Sequence, residues 1–375
     1  MFRQIFLTLV SFLLIQSAIS QTAEQFYNEG QKLEKKFKYA EALVSYKKAI
    51  AKDPKYKEAQ FGAGWINNEL KKYADAIPFL QKAKDLWPNE AKIYLELGYA
   101  NEKLGKKNEA IKNYDKCLSL DPEYALAYKY LGRMYYDDGD YTKSLENLKK
   151  YFQNEPESKD DDLYYRKGVS ENELELYNDA VISLTKADEL NPKNVKFLNE
   201  LGYTYYKLGG EKEALNYYKD AAALDPKSLT ALNGIADVYR KLKKDQNEAI
   251  RLYAKTLEIN PKNINANYWT GWCYNEMGKY NDAIPYLKKV IEADDQYVSA
   301  YTELGYCDYA LKNYDDALVS FKKAFTIERT ELTMYYTSLC YIGKKDKQAA
   351  LTMLDDLKAI NSKYVKEVQE KIDNL

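Results

Sequence analysis

The sequence has no histidine in its 375 residues, and only four cysteines, four tryptophans and nine prolines. Without histidine there is no Ser-His or Cys-His couple for nucleophilic catalysis and no histidine-ligated metal. No phosphate-binding glycine loop and no dinucleotide fingerprint occurs. Neither sign of charge dominates, with 56 Lys+Arg against 57 Asp+Glu and no long single-sign run, which argues against a nucleic-acid partner. Carboxylates are abundant, yet their spacing singles out no pair. "DDGDY" (Asp137 to Tyr141) lacks the alternating ligands of a calcium loop and reads as a polar turn. The sequence therefore offers no catalytic residue, no metal site and no cofactor site, and an enzyme is not expected.

Long apolar runs are missing too, apart from one. "IFLTLVSFLLI" (Ile5 to Ile15) follows Arg3, is too short to span a bilayer, and precedes the small residues Ala18 and Ser20. This is the pattern of a signal peptide over residues 1–20, cleaved after Ser20. No cysteine follows it where a lipid would attach. The expected mature chain is exported, periplasmic or secreted, with no membrane span.

What the chain does have is tyrosine, 38 of them, and a period. Pro54, Pro88, Pro122, Pro156, Pro192, Pro226 and Pro261 are separated by 34, 34, 34, 36, 34 and 35 residues. A fixed period of this length is the mark of a solenoid of repeats. Aligned on the prolines, Gly30, Gly64, Gly98, Gly132, Gly168, Gly202, Gly271 and Gly305 fall in one column. Ala42, Ala76, Ala110, Ala180, Ala214, Ala249, Ala283 and Ala317 fall in another. Each unit reads as two helices. In the third, Ile93, Leu97 and Ala100 recur at helical steps and Gly105 ends the run; Ala110, Ile111, Tyr114, Cys117 and Leu118 form a second stripe that Pro122 stops. Small residues in the glycine and alanine columns allow two helices to approach closely.

This pattern resembles the tetratricopeptide repeat: a bulky residue, Leu-Gly, Tyr, Ala, an aromatic, Ala and Pro. The sixth unit supplies Leu198, Leu201, Gly202, Tyr205, Ala214, Tyr218, Ala221 and Pro226. The resemblance implies an all-α, right-handed superhelical solenoid of antiparallel helix pairs. Ten repeats begin near residues 23, 57, 91, 125, 161, 195, 229, 264, 298 and 332, grouped as repeats 1–4 (23–158) and 5–10 (161–360). A capping helix over 362–375 places Val365, Val368, Ile372 and Leu375 on one side. The fifth repeat departs from the pattern. Lys167 and Glu171 replace Leu and Tyr, four apart on one helix face, which reads as a locally exposed helix or as a seam.

In an exported chain four cysteines invite a disulfide reading. The register opposes it: Cys273 and Cys307 share a column in successive repeats, about a helix diameter or more apart, and Cys117 takes a small-residue position. Cys340 is the least determined of the four.

In this family the first helix of each repeat lines a concave groove that holds peptides. The resemblance places the residue after Leu-Gly on that groove: Gln31, Trp65, Tyr99, Arg133, Val169, Tyr203, Asp237, Trp272, Tyr306 and Cys340. Half are aromatic, where a polar residue is usual. Phe61 and Tyr268, four residues before Trp65 and Trp272, complete two aromatic pairs, and Lys129, Arg133 and Arg166 form a basic cluster. Exposed aromatic patches tend to mark binding sites; packing against the neighbouring helix is the competing reading for any one ring. The family's carboxylate clamp matches at Lys129 and Lys196 only, leaving room for a looser acidic-peptide subsite. The expected function is a non-catalytic scaffold of the cell envelope that binds a protein or peptide, or joins an envelope complex, through an aromatic-lined groove. The alternative is a glycan or cell-wall polysaccharide stacked on Trp and Tyr.

Overall fold

The computed structural model describes residues 21–375. Among them are 21 α-helices and no strand. They form two compact units, one ending at Leu174 and the other running from Glu175 to Leu375. The first holds the helix pairs of repeats 1–4, from Ala23–Glu34 with Tyr39–Lys52 to Ala125–Asp137 with Tyr141–Asn154, followed by Asp161–Glu173. The second opens with Tyr177–Leu190 and continues through five pairs, from Val195–Lys207 with Glu211–Leu224 to Glu331–Gly343 with Lys347–Ala359, before the short helix Val365–Asp373. Each unit is thus a solenoid of consecutive packed helix pairs.

The columns read from the sequence are the contacts that build these pairs. A Cβ added at Gly98 would lie 2.5 Å from the Tyr114 ring, at Gly202 2.7 Å from Tyr218, and at Gly305 2.7 Å from Phe321. At Gly30, Gly64, Gly98, Gly132, Gly202, Gly271 and Gly305 the first helix therefore seats a large residue from the second helix, sixteen positions on. All eight column alanines are fully buried. Second helices end two residues before the column prolines, at Lys52, Leu86, Leu120 and onward. Asp53, Asp121 and Asp225 precede proline, and each accepts a backbone N–H two residues on, which fixes the turn. The links inside repeats take a left-handed residue: glycine at Gly105, Gly139, Gly209 and Gly278, but Phe37, Lys71, Glu175, Lys244, Lys312 and Lys345 in the others. "DDGDY" is such a link, with Asp140 capping the next helix through the Lys143 N–H.

Two expectations need correction. The first helix of repeat 5 is not an exposed one: Glu171 is fully buried and its carboxylate lies 2.6 Å from Lys167 Nζ. The charged pair displaces the apolar pair without opening the core. In the last helix Val368 and Ile372 are buried against Leu354 and Leu357, but Leu375 is 43% exposed, since the helix ends at Asp373.

All four cysteines are free and buried, and burial pushes each thiol up to about 12. A thiol reagent at pH 8 should therefore label none of them in the native protein and all four after denaturation without reductant. Fewer than four in the denatured protein would reveal a disulfide.

The predicted signal peptide lies outside the described residues. Among those described, no helix is long and apolar enough to cross a membrane.

Candidate functional site

The predicted binding residues sit on first helices in both units, and their surroundings differ. In the first unit Phe61 and Trp65 are half-buried. Lys92 Nζ stands 4.9 Å from the Phe61 ring centre, and the Trp65 and Tyr39 rings meet at 5.8 Å and 87°. Tyr99 lies between Tyr73 (5.9 Å) and Tyr130 (5.5 Å). Burial, then the neighbouring Tyr73, push its phenol up to about 12.

Two of the three cations in the basic cluster are already neutralised. Lys129 Nζ is 2.6 Å from Asp160 Oδ2. Arg166 reaches Asp162 at 2.7 Å and Asp137 at 2.5 Å, with its guanidinium over the Tyr136 ring. Arg133 forms no ion pair among the described residues, and its charge acts on Tyr130 beside Tyr99. Lys129 and Arg166 are thus held by their own unit.

In the second unit two hollows open on the first-helix face, each crossing three successive first helices. One, of about 350 Å³, is lined by Tyr203, Tyr206, Asn233, Asp237 and Asn263. The other, of about 500 Å³, is lined by Asn275, Tyr280, Glu303, Tyr306 and Tyr336. Tyr203 and Tyr306 therefore line cavities. Tyr268 is 8% exposed and packs on Trp269 (4.8 Å) and Tyr297 (5.2 Å). Trp272 is half-buried, its ring inclined at 78° to Trp269 with centres 5.8 Å apart.

Two features were not anticipated from the sequence. The extra residue of repeat 7 is absorbed as a π-helical turn, Tyr239–Lys243, which carries Arg240 inward. Its guanidinium stacks 3.5 Å from the Trp269 ring centre and donates to Asp237 (3.1 Å) and Tyr253 (3.2 Å), and Tyr253 also donates to Asp237. Asp237, a column residue, is thereby engaged from within its own unit. The second feature is a buried carboxamide–carboxylate pair between consecutive repeats. Asn68 Nδ2 donates to Glu96 Oε2 at 2.7 Å, and Asn275 Nδ2 to Glu303 Oε2 at 2.8 Å. The signal lay in the repeated phrase "ELGY", whose glutamate recurs at Glu96, Glu200 and Glu303.

No group of acidic residues and cysteines positioned to hold a metal ion occurs among the described residues. What the face offers is shape, aromatic rings and buried polar groups, which suit binding.

Comparison with known proteins agrees with this architecture. A profile of the anaphase-promoting complex, cyclosome, subunit 3 matches residues 243–324. "Uncharacterized protein ycf37" of Pyropia yezoensis is 32% identical over 104 residues, 28% of this chain and 56% of that protein. Its counterpart in Porphyra purpurea is 34% identical over the same length, 28% of this chain and 58% of that protein. The chain thus spans little more than half the length of these curated relatives. Among solved structures, PilW, described as a widely conserved type IV pilus biogenesis factor, superposes with a TM-score of 0.50 at 20% identity, covering 56% of this chain and 98% of PilW. Pseudomonas aeruginosa pilF gives 0.51 at 18%, covering 56% and 97%. These two show likeness of fold. Tetratricopeptide repeat profiles match residues 27–91 and 199–264, and residues 91–124 and 161–194, together just over half of the chain. With its ten-repeat register and paired helices, the chain belongs to the tetratricopeptide repeat family.

Proposed function

We propose that this chain is a non-catalytic interaction scaffold of the cell envelope that holds a segment of a partner protein on its first-helix face. The observation that carries the reading is the pair of hollows in the second unit, each spanning three first helices and each lined by an aromatic column residue, Tyr203 or Tyr306. A cleft that crosses several repeats suits an extended chain, and tyrosine anchors give contact area at low entropic cost. The envelope assignment rests on the apolar segment with small residues before Gln21.

A protein segment is preferred over a glycan because of ring geometry. A sugar stacks on an open ring face, whereas Trp65, Trp272 and Tyr306 are half-buried and each already has a neighbouring ring at a steep angle, which leaves less room for a flat sugar face. Peptides selected from a displayed library on the mature chain should bind at least tenfold more weakly to the Tyr203→Ala or the Tyr306→Ala variant, whichever hollow they occupy, with helix content unchanged by circular dichroism. An equal loss of helix content would make these residues core. Quenching of tryptophan fluorescence by cell-wall fragments, with no peptide selected, would favour the glycan.

A further inference from the structure

The hollow across repeats 8–10 has a distinct chemistry. Tyr280 meets Tyr306 at 5.8 Å and 82°, and Tyr306 meets Tyr336 at 5.2 Å and 65°. Successive rings set at steep angles wall the space on more than one side. Glu303 lines the same cavity, and its carboxylate accepts one hydrogen bond from Asn275. Glu276 also lines the cavity. Neither carboxylate forms an ion pair among the described residues. Burial, opposed by the Asn275 bond and aided by Glu276, pushes the Glu303 carboxyl upward. A partly buried carboxylate without a counter-ion is costly, and a cation entering the cavity would relieve that cost. Tyrosine faces add attraction for the same charge.

The chain contains its own comparison. Six repeats earlier the same residues recur in the same register: Asn68, Glu69, Tyr73, Glu96 and Tyr99. Tyr73 meets Tyr99 at 5.9 Å and 80°, as Tyr280 meets Tyr306, and Asn68 holds Glu96 as Asn275 holds Glu303. The difference is on the next first helix. Repeat 4 carries Lys129 and Arg133 where repeat 10 carries Tyr336 and Cys340. In the first copy the third ring beside Tyr99 is Tyr130; in the second it is Tyr336, which stands in the place of Lys129, and both positive charges are gone.

We propose that the Tyr280–Tyr306–Tyr336 cavity, with Glu303 in its wall, is a receptor for a cationic side chain, lysine or arginine, presented by the partner protein. The inference rests on the reading of this face as protein-binding and names the chemistry of one contact.

The test uses the mature chain and the peptide acetyl-Gly-Gly-Arg-Gly-Gly-amide, with lysine and citrulline counterparts, followed by ligand-observed NMR titration. The arginine and lysine peptides should bind saturably, at least tenfold more tightly than the neutral citrulline peptide. Glu303→Gln, which keeps an acceptor for Asn275, should weaken the arginine peptide about tenfold. Tyr336→Lys, which restores the charge found in repeat 4, should weaken it at least as much, while Glu96→Gln should leave it within twofold. Equal binding of arginine and citrulline peptides, or an unchanged affinity in Glu303→Gln, would overturn the receptor. In that event, continued sensitivity of library-selected peptides to Tyr203→Ala would keep the wider reading of the face. Loss of that sensitivity would remove the wider reading, whatever the arginine peptide does.

Discussion

Gly98→Leu should destabilise repeat 3 and its neighbours by about 3 kcal/mol, the upper end of what overpacking costs. A Cβ alone at this position would lie 2.5 and 2.6 Å from two atoms of the Tyr114 ring. That ring cannot yield easily. Tyr114 is fully buried, its hydroxyl donates to Glu102 Oε2 at 2.9 Å, and Tyr130 stacks on it at 5.4 Å. Gly105 provides the contrast. Nothing lies within 4 Å of a Cβ there, but its φ is +72°, so Gly105→Ala should cost only about 1 kcal/mol of backbone strain. Urea unfolding with hydrogen exchange over residues 91–120 separates the two. If Gly98→Leu is no worse than Gly105→Ala, the helix contact assigned to this column is wrong.

Glu96→Gln should stabilise the first unit at pH 8 by about 3 kcal/mol and leave it unchanged at pH 4. Burial pushes the Glu96 carboxyl from 4.5 up to about 7, with Asn68 pulling it back and Glu69 adding to the rise. Between those values the folded form holds a proton that the unfolded chain has released. The stability contributed by this group is therefore complete below about 4.5 and is lost as pH rises through about 7. Glutamine keeps the acceptor for Asn68 and removes the titration. Denaturation of both proteins at pH 4 and pH 8 gives the answer; an equal difference at the two pH values would mean that the Glu96 carboxyl titrates alike in the folded and the unfolded chain.

The helix pairs were legible because their determinants are local or periodic. Proline at a fixed spacing marks helix ends, and the Gly98 and Ala110 columns show where backbones meet. The environment of the face was much less legible, because it depends on side chains about thirty positions away in the next repeat. Lys129 looks like a free cation until Asp160 is placed beside it. Tyr268 looks like a groove residue until Trp269 and Tyr297 cover it. Glu303 looks like one more solvated carboxylate until Asn275 holds it in a cavity that three tyrosines also line. The π-helical turn at Tyr239–Lys243 had a faint signal, the 35-residue spacing from Pro226 to Pro261, but no indication that the extra residue would carry Arg240 onto Trp269.

The central claim is that the first-helix face, rather than the second helices, meets the partner. Photo-crosslinking in cells that make the protein tests it most directly. A benzophenone amino acid would replace Tyr203 or Tyr306 on first helices, and Ile182 or Val319, which are 70% and 69% exposed on second helices. The account predicts a discrete protein adduct from Tyr203 and Tyr306 and none from Ile182 and Val319. Adducts from the second-helix positions alone would contradict it.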